Sequence, residues 1–138
     1  MQNRRNSGEE SKLARKEHWD ATFQMELENF ENNGDDGEVW FGKDVQKKTV
    51  AYILDQYCNE NAQAESLTLL DVGTGNGALL FKLTKKGICQ RVQNVTLKGI
   101  DYSEHSVVFA QRVRDSLAAR EEIEEGMRAD YAKIVIEH

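Results

Sequence analysis

The chain has 138 residues, of which 39% are apolar and 30% charged, and its 24 acidic against 18 basic side chains give a net charge of −6. This length fits one domain, and the composition is typical of a folded globular protein rather than a disordered one. The apolar runs are far shorter than the roughly 20 residues of a membrane-spanning helix, so we expect no membrane segment. The acidic balance argues against broad binding of nucleic acid.

The N-terminal residues and the cysteines predict a compartment. Residues 1–12 are polar and predict a flexible tail. Residues 1–25 lack the apolar core of a secretory signal, so we expect a cytoplasmic protein. Cys58 and Cys89 are far apart, with no Cys or His at metal-ligand spacing. We therefore expect neither a disulfide nor a metal site.

The segment 13–62 predicts an N-terminal helical cap. Aromatic and aliphatic side chains at positions 19, 23, 27 and 30 recur at helical spacing, which predicts an amphipathic helix from Leu13 to Phe30. An acidic run of turn formers follows at residues 31–37. Asp44 is suited to cap a second helix that ends near Asn59. The inward side of that helix is predicted to contain Val45, Lys48, Thr49, Tyr52, Ile53 and Gln56.

The segment 63–138 alternates strand and helix patterns. Ser66–Asp71 is a short apolar run, typical of a parallel strand covered on both faces, and a glycine turn and a helix ending at Gly87 follow it. A second strand is predicted from Val95 to Ile100. Ser103 is suited to cap the next helix, whose inward residues are Val107, Ala110, Val113 and Leu117. A third strand is predicted at Lys133–Glu137, so the order β-α-β-α-β indicates half of a doubly wound α/β sheet.

The turn after the first strand carries the chemical signal. Gly73, Gly75 and Gly77 follow Asp71, and the pattern also satisfies the G-x-G-x-x-A fingerprint of dinucleotide-binding proteins. A carboxylate at position 71 would repel the pyrophosphate of NAD, whereas it suits the ammonium and sulfonium of S-adenosylmethionine. Asp101 closes the second strand, where an acid can accept hydrogen bonds from ribose hydroxyls in either cofactor. The residues therefore favour S-adenosylmethionine and leave an NAD-dependent oxidoreductase as an alternative.

Two sets of motifs resemble a known family. Residues 69–77 and 99–103 are similar to the cofactor motifs of class I S-adenosylmethionine-dependent methyltransferases. Residues 17–20, with segments between positions 26 and 42, resemble methyltransferase-like enzymes that modify a lysine of translation elongation factor 1-alpha. The resemblance implies a Rossmann-like class I methyltransferase fold, S-adenosylmethionine as cofactor and the elongation factor as protein substrate.

The resemblance also implies a set of site residues. The region around Trp40 and Phe41 is expected to cover the cofactor. No catalytic residue is assigned, because methyl transfer needs chiefly a desolvated, aligned lysine amine. The expected cofactor-binding residues are Trp40, Asp71, Gly73, Thr74, Gly75, Gly77, Asp101 and Tyr102.

The chain departs from the family at its C-terminal end. The family places an acid after the third strand to meet the adenine amino group, where this sequence has His138. The family also continues through further strands that include an Asp-Lys-Gly-Thr-Phe-Asp segment, which has no counterpart here. We therefore expect a fold truncated after the third strand, inactive as it stands and monomeric at full length. A truncated, non-catalytic cofactor-binding or regulatory form is the first alternative to the enzyme, ahead of the NAD-dependent oxidoreductase.

Overall fold

The computed structural model describes residues 15–33, 42–59 and 65–138. Within these residues, helices pack on a parallel sheet of three strands in the order β1-β2-β3. The α/β prediction and the order of its strands are therefore confirmed. The elements are α1 (Lys16–Asn33), α2 (Lys43–Tyr57), β1 (Ser66–Val72), α3 (Ala78–Lys85), α4 (Ile88–Arg91), β2 (Asn94–Ile100), α5 (Glu104–Ala119), α6 (Glu125–Ala132) and β3 (Val135–Glu137).

The register of the sheet brings two loops together. Asp71 of β1 lies opposite Gly99 of β2, and Val72 lies opposite Ile100. Because both strands end at the same edge, the turn after β1 and the loop that begins at Asp101 are neighbours. The sheet therefore assembles the two sequence motifs at one site.

The core lies between the sheet and the helices on one of its faces. Its largest fully buried side chains include Leu80, Leu83, Phe109 and Ile136. Helix α1 packs on α5, and the Phe30 ring meets the Phe109 ring edge to face at 6.0 Å. The predicted face of α1 is confirmed, because Phe23 is buried and Trp19, Leu27 and Phe30 pack against the core.

The prediction that β1 is covered on both faces was wrong. The side chains of β1 alternate between partial burial and exposure, and Leu70 and Val72 are 53% and 73% exposed. The face that carries them is open in the part of the chain that the structure describes. The apolar run therefore does not by itself establish a strand buried on both sides.

The predictions for α2 were wrong in its cap and in its face. The helix begins after Gly42 without a side-chain cap, and Asp44 lies in its first turn. The buried residues are Val50 and Leu54, whereas Val45 and Tyr52 are more than half exposed. Lys48 and Gln56 are also exposed, and Ile53 is half-buried.

The predictions for the later helices and for β3 are confirmed only in part. Gly87 adopts a left-handed conformation just after α3, as its predicted terminating role requires. The Ser103 side chain accepts a hydrogen bond from the Ser106 N–H, so the predicted cap of α5 is confirmed. Helices α4 and α6 were not predicted, and β3 is shorter than expected, beginning at Val135. The boundaries at residues 12 and 62 lie outside the described residues and stay predictions.

Candidate cofactor site

The glycine turn is fixed by the neighbouring strand. The N–H groups of Gly73 and Thr74 both donate to the Ile100 carbonyl, at 2.9 and 3.0 Å. The Gly75 N–H donates to Asp101 Oδ2 at 3.0 Å, and the Gly77 N–H donates to the Thr74 carbonyl at 2.9 Å. These four backbone donors of the turn are therefore satisfied within the protein.

Gly75 is required by both conformation and space. Its φ of +58° lies in the left-handed region, which residues other than glycine rarely adopt. A Cβ placed there would lie 3.3 Å from Cζ of Phe23, so α1 packs directly over the turn. The turn is therefore held by hydrogen bonds to β2 and by packing against α1.

A cavity of about 150 Å³ opens between the turn and the first half of α2. Sequence reasoning anticipated its floor, formed by Asp71 and the turn, but not the wall that α2 contributes. Val45 and Thr49 were expected to face the core, and they line this cavity instead. The lining residues that were not anticipated as site residues are Gly42, Val45, Gln46, Thr49, Asn76, Ala78 and Leu79.

Asp71 gives the cavity its charge. Its Oδ2 accepts a hydrogen bond of 2.8 Å from the Thr74 hydroxyl. Burial raises the pKa of the Asp71 carboxyl above its ordinary value, the Thr74 hydrogen bond opposes that rise, and the negative charge of Asp101 adds to it. A carboxylate in this position gains from a cationic ligand, because a positive charge offsets both its desolvation and its repulsion by Asp101. The site residues present therefore fit an ammonium group.

Asp101 and Tyr102 follow β2, and neither of them lines the cavity. The Asp101 side chain is nearly buried, and its two oxygens accept N–H groups from Gly75 and Ser103 at 3.0 and 2.9 Å. Each oxygen keeps a second lone pair, so a further hydrogen bond to a ribose hydroxyl is compatible with these contacts. Tyr102 is 46% exposed, and its carbonyl accepts a hydrogen bond from His138 Nε2 at 2.9 Å.

Two of the expected site residues stand apart. Gly77 does not line the cavity; a Cβ there would lie 2.9 Å from the ring of Phe81, so this glycine allows α3 to pack closely against the turn. Trp40, with Phe41, lies outside the described residues. Thr74 is buried, and it contributes through its bond to Asp71.

Comparison with known proteins identifies the family. A family profile described as "Methyltransferase domain" matches residues 63–130, which contain the glycine turn and Asp101. "Protein-lysine N-methyltransferase efm4" of Schizosaccharomyces pombe is 37% identical over 107 residues, covering 75% of this chain and 45% of the relative. The chain belongs to the class I methyltransferase family. The resemblance predicted from its motifs is thereby confirmed.

Further relatives of this chain carry related names. "EEF1A lysine methyltransferase 2" of Danio rerio is 35% identical over 103 residues, covering 75% of this chain and 40% of that protein. The human protein of the same name is 37% identical over 97 residues, covering 70% of this chain and 36% of that protein. The chain thus spans less than half the length of these curated relatives. No solved structure gives a significant match.

The residues that the structure describes show neither a metal-binding cluster nor a membrane-spanning helix. No group of three or more His, Cys, Asp or Glu side chains within residues 15–33, 42–59 and 65–138 could hold a metal ion. Across those same ranges, none of the helices combines the length and the apolar character that crossing a membrane requires. The two cysteines are free thiols, and Cys58 is buried.

Proposed function

We propose that the protein is an S-adenosylmethionine-dependent protein-lysine N-methyltransferase that acts on translation elongation factor 1-alpha. The names of the relatives support the reaction and the substrate, at 35–37% identity. The activity, the substrate and the cofactor belong to the proposal, because the chain covers less than half of each relative. A substrate of the translation machinery also supports the cytoplasm as the compartment, and we propose a monomer.

The choice of cofactor rests on one observation, namely which groups accept hydrogen bonds from the N–H groups of the turn. A dinucleotide pyrophosphate binds at a glycine turn through backbone N–H groups directed at it. Here the N–H groups of Gly73, Thr74 and Gly75 are directed at Ile100 and Asp101. Asp71 adds a negative charge on the cavity side of the turn, where a pyrophosphate would be repelled. Both features support a cationic amino-acid group over a phosphate.

The proposed roles follow from the positions of the residues. Asp71 would bind the ammonium of the cofactor, and Val45, Thr49 and Leu79 would surround the aliphatic part. Asp101 would accept from the ribose hydroxyls, beside the exposed Tyr102. When bound, S-adenosylmethionine supplies an electrophilic methyl group. The protein then has to align a neutral lysine amine with that methyl and exclude water, which requires no acid or base among the residues described.

Calorimetry and mass spectrometry together test the proposal. The purified protein is titrated with S-adenosylhomocysteine and, in parallel, with NAD⁺ and NADH. Binding of S-adenosylhomocysteine alone is expected, whereas heat from NAD⁺ or NADH alone would overturn the choice of cofactor and favour the oxidoreductase alternative. Purified elongation factor 1-alpha is then incubated with S-adenosylmethionine and a form of the protein extended to the length of the curated relatives, and its mass is measured. We expect one lysine to gain the mass of one CH2 unit for each methyl group transferred, because each methyl replaces a hydrogen. Cofactor binding without methylation would favour the non-catalytic form.

A further inference from the structure

Helix α1 makes a polar contact with the loop that carries Asp101. Asp20 Oδ1 accepts a hydrogen bond of 2.5 Å from the hydroxyl of Ser103, a residue that is fully buried. A serine hydroxyl has one proton to donate, so Asp20 determines where that proton points. The Ser103 oxygen can then accept from the Ser106 N–H at 3.3 Å, which caps α5. The orientation of Ser103 is therefore set from α1.

Ser103 in turn holds Asp101. Its backbone N–H donates to Asp101 Oδ1 at 2.9 Å, while the Gly75 N–H holds the other oxygen. The Ser106 hydroxyl donates to the Gly75 carbonyl at 2.8 Å, so the beginning of α5 also fixes the glycine turn. A chain of hydrogen bonds thus runs from Asp20 through Ser103 to the carboxylate of Asp101.

An aromatic contact accompanies the polar one. Phe23 lies three residues after Asp20, on the same side of α1, and its ring packs over Gly75. Trp19 stacks on Phe23 with ring centroids 5.9 Å apart. One face of α1 therefore contacts both loops of the cofactor site, at Gly75 through Phe23 and at Ser103 through Asp20.

The charge of Asp20 suits it to this contact. The Ser103 hydroxyl and then the Lys16 ammonium, which lies 2.9 Å from Oδ2, hold the pKa of Asp20 below its ordinary value. The carboxyl is therefore ionised at neutral pH and acts only as an acceptor. Hydrogen bonds to an ionised group are about twice as strong as those between neutral groups. His105 Nδ1, at 3.9 Å from Oδ1, is too distant to replace the serine as donor.

We propose that Asp20 is a positioning residue, which fixes Ser103 and thereby aims the Asp101 carboxylate at the ribose of the cofactor. The inference rests on the proposed function, because it assigns the ribose contact to Asp101. It adds that docking of the N-terminal helix and affinity for the nucleoside end of the cofactor are coupled. Loss of the Asp20 carboxylate lowers that affinity although Asp20 itself is not assigned a contact with the ligand.

Calorimetry of the purified protein with S-adenosylhomocysteine tests the coupling. Asp20→Ala is expected to weaken binding about tenfold, the scale of one lost hydrogen bond to a charged group. Asp20→Asn keeps an oxygen acceptor for Ser103 and should recover part of the affinity; it also keeps the test available if the alanine variant does not fold. Gln24→Ala, on an exposed position of the same helix, is the control and should bind as the wild type does.

A ligand without ribose hydroxyls separates positioning from a general effect on the fold. The Asp20→Ala loss should largely disappear for the 2′,3′-dideoxy analogue of S-adenosylhomocysteine, because Asp101 then has no hydroxyl to hold. An equal loss for both ligands, or no loss for either, overturns the positioning role and leaves the proposed function intact. A wild-type protein that binds neither ligand instead overturns the proposed function, and the positioning role with it.

Discussion

Replacing Gly75 with valine is the most direct test of the turn as a cofactor site. Gly75 has a φ of +58°, and a Cβ at this position would already lie 3.3 Å from the Phe23 ring. A side chain in the left-handed region costs about 1–2 kcal/mol, and forcing extra methyl groups into a packed contact costs about 1–3 kcal/mol. The expected loss of stability is therefore about 2–5 kcal/mol.

The strain should reach the cofactor site because both backbone groups of Gly75 are engaged there. Its N–H is bonded to Asp101, and its carbonyl is bonded to Ser106. Calorimetry with S-adenosylhomocysteine should show binding weakened about tenfold or more, the scale of one lost hydrogen bond between the ligand and a charged group. The melting temperature should fall by roughly 4 °C per kcal/mol in a domain of this size.

Two further variants make the result interpretable. Gly75→Ala adds only the Cβ and should give a smaller loss than valine in both measurements. Gly126→Ala is the control, because a Cβ there meets no atom within 4 Å and alanine favours a helix over glycine by about 1 kcal/mol. It should raise the melting temperature and leave affinity unchanged. A valine variant that melts cooperatively and binds with wild-type affinity would refute the placement of the cofactor at this turn.

Three other substitutions test the surroundings of the turn. Gly99→Ala would bring a Cβ to 2.7–2.8 Å from the Thr74 side chain, so we expect thermal melts to show a loss of about 1–3 kcal/mol and calorimetry to show weaker binding. Ser103→Ala removes the cap of α5 and should lower stability by about 0.5–2 kcal/mol in denaturant titration, with unchanged stability counting against the cap. Asp71→Asn should raise the melting temperature at pH 7 and weaken cofactor binding. Folding raises the pKa of Asp71, so the free energy of unfolding falls as the pH rises through that pKa. Asparagine does not ionise, so the variant should not lose this stability. A melting temperature that keeps the wild-type pH dependence would contradict the assignment to Asp71.

The elements with local signals could be predicted from the sequence. Ser103 stands directly before a helical pattern and provides a cap whose partner, Ser106, lies within the same turn. The glycines at 73 and 75 mark a turn because positive φ is a property of the local backbone. The α6 segment offers no such signal: it is polar and carries Gly126, and the burial of Tyr131 reflects packing against other helices. Tertiary contacts of this kind are not encoded in local periodicity.

The face of α2 shows a different limit of sequence reasoning. Val45 and Thr49 belong to an amphipathic stripe, which the sequence assigns to the core. The structure buries Val50 and Leu54 instead, and Val45 and Thr49 of the stripe line the cavity. An apolar wall of a ligand site and an apolar core face have the same composition and spacing, so hydrophobic periodicity does not separate them.

A glycine fingerprint also does not determine which groups accept hydrogen bonds from the N–H groups of the turn. The same spacing serves dinucleotide and S-adenosylmethionine sites, and the destination of the N–H groups depends on the neighbouring strand. Here Asp101 accepts the Gly75 N–H of the turn and the Ser103 N–H that follows β2, so removing its carboxylate would destabilise the turn whether or not a ligand binds. Asp71 has a hydrogen bond only from the Thr74 hydroxyl among the contacts described, and its raised pKa means that its charge disfavours the fold. A charged group that lowers stability is better explained by ligand binding than by a structural role. Substitution of Asp71, rather than of Asp101, therefore separates an effect on ligand binding from an effect on the fold.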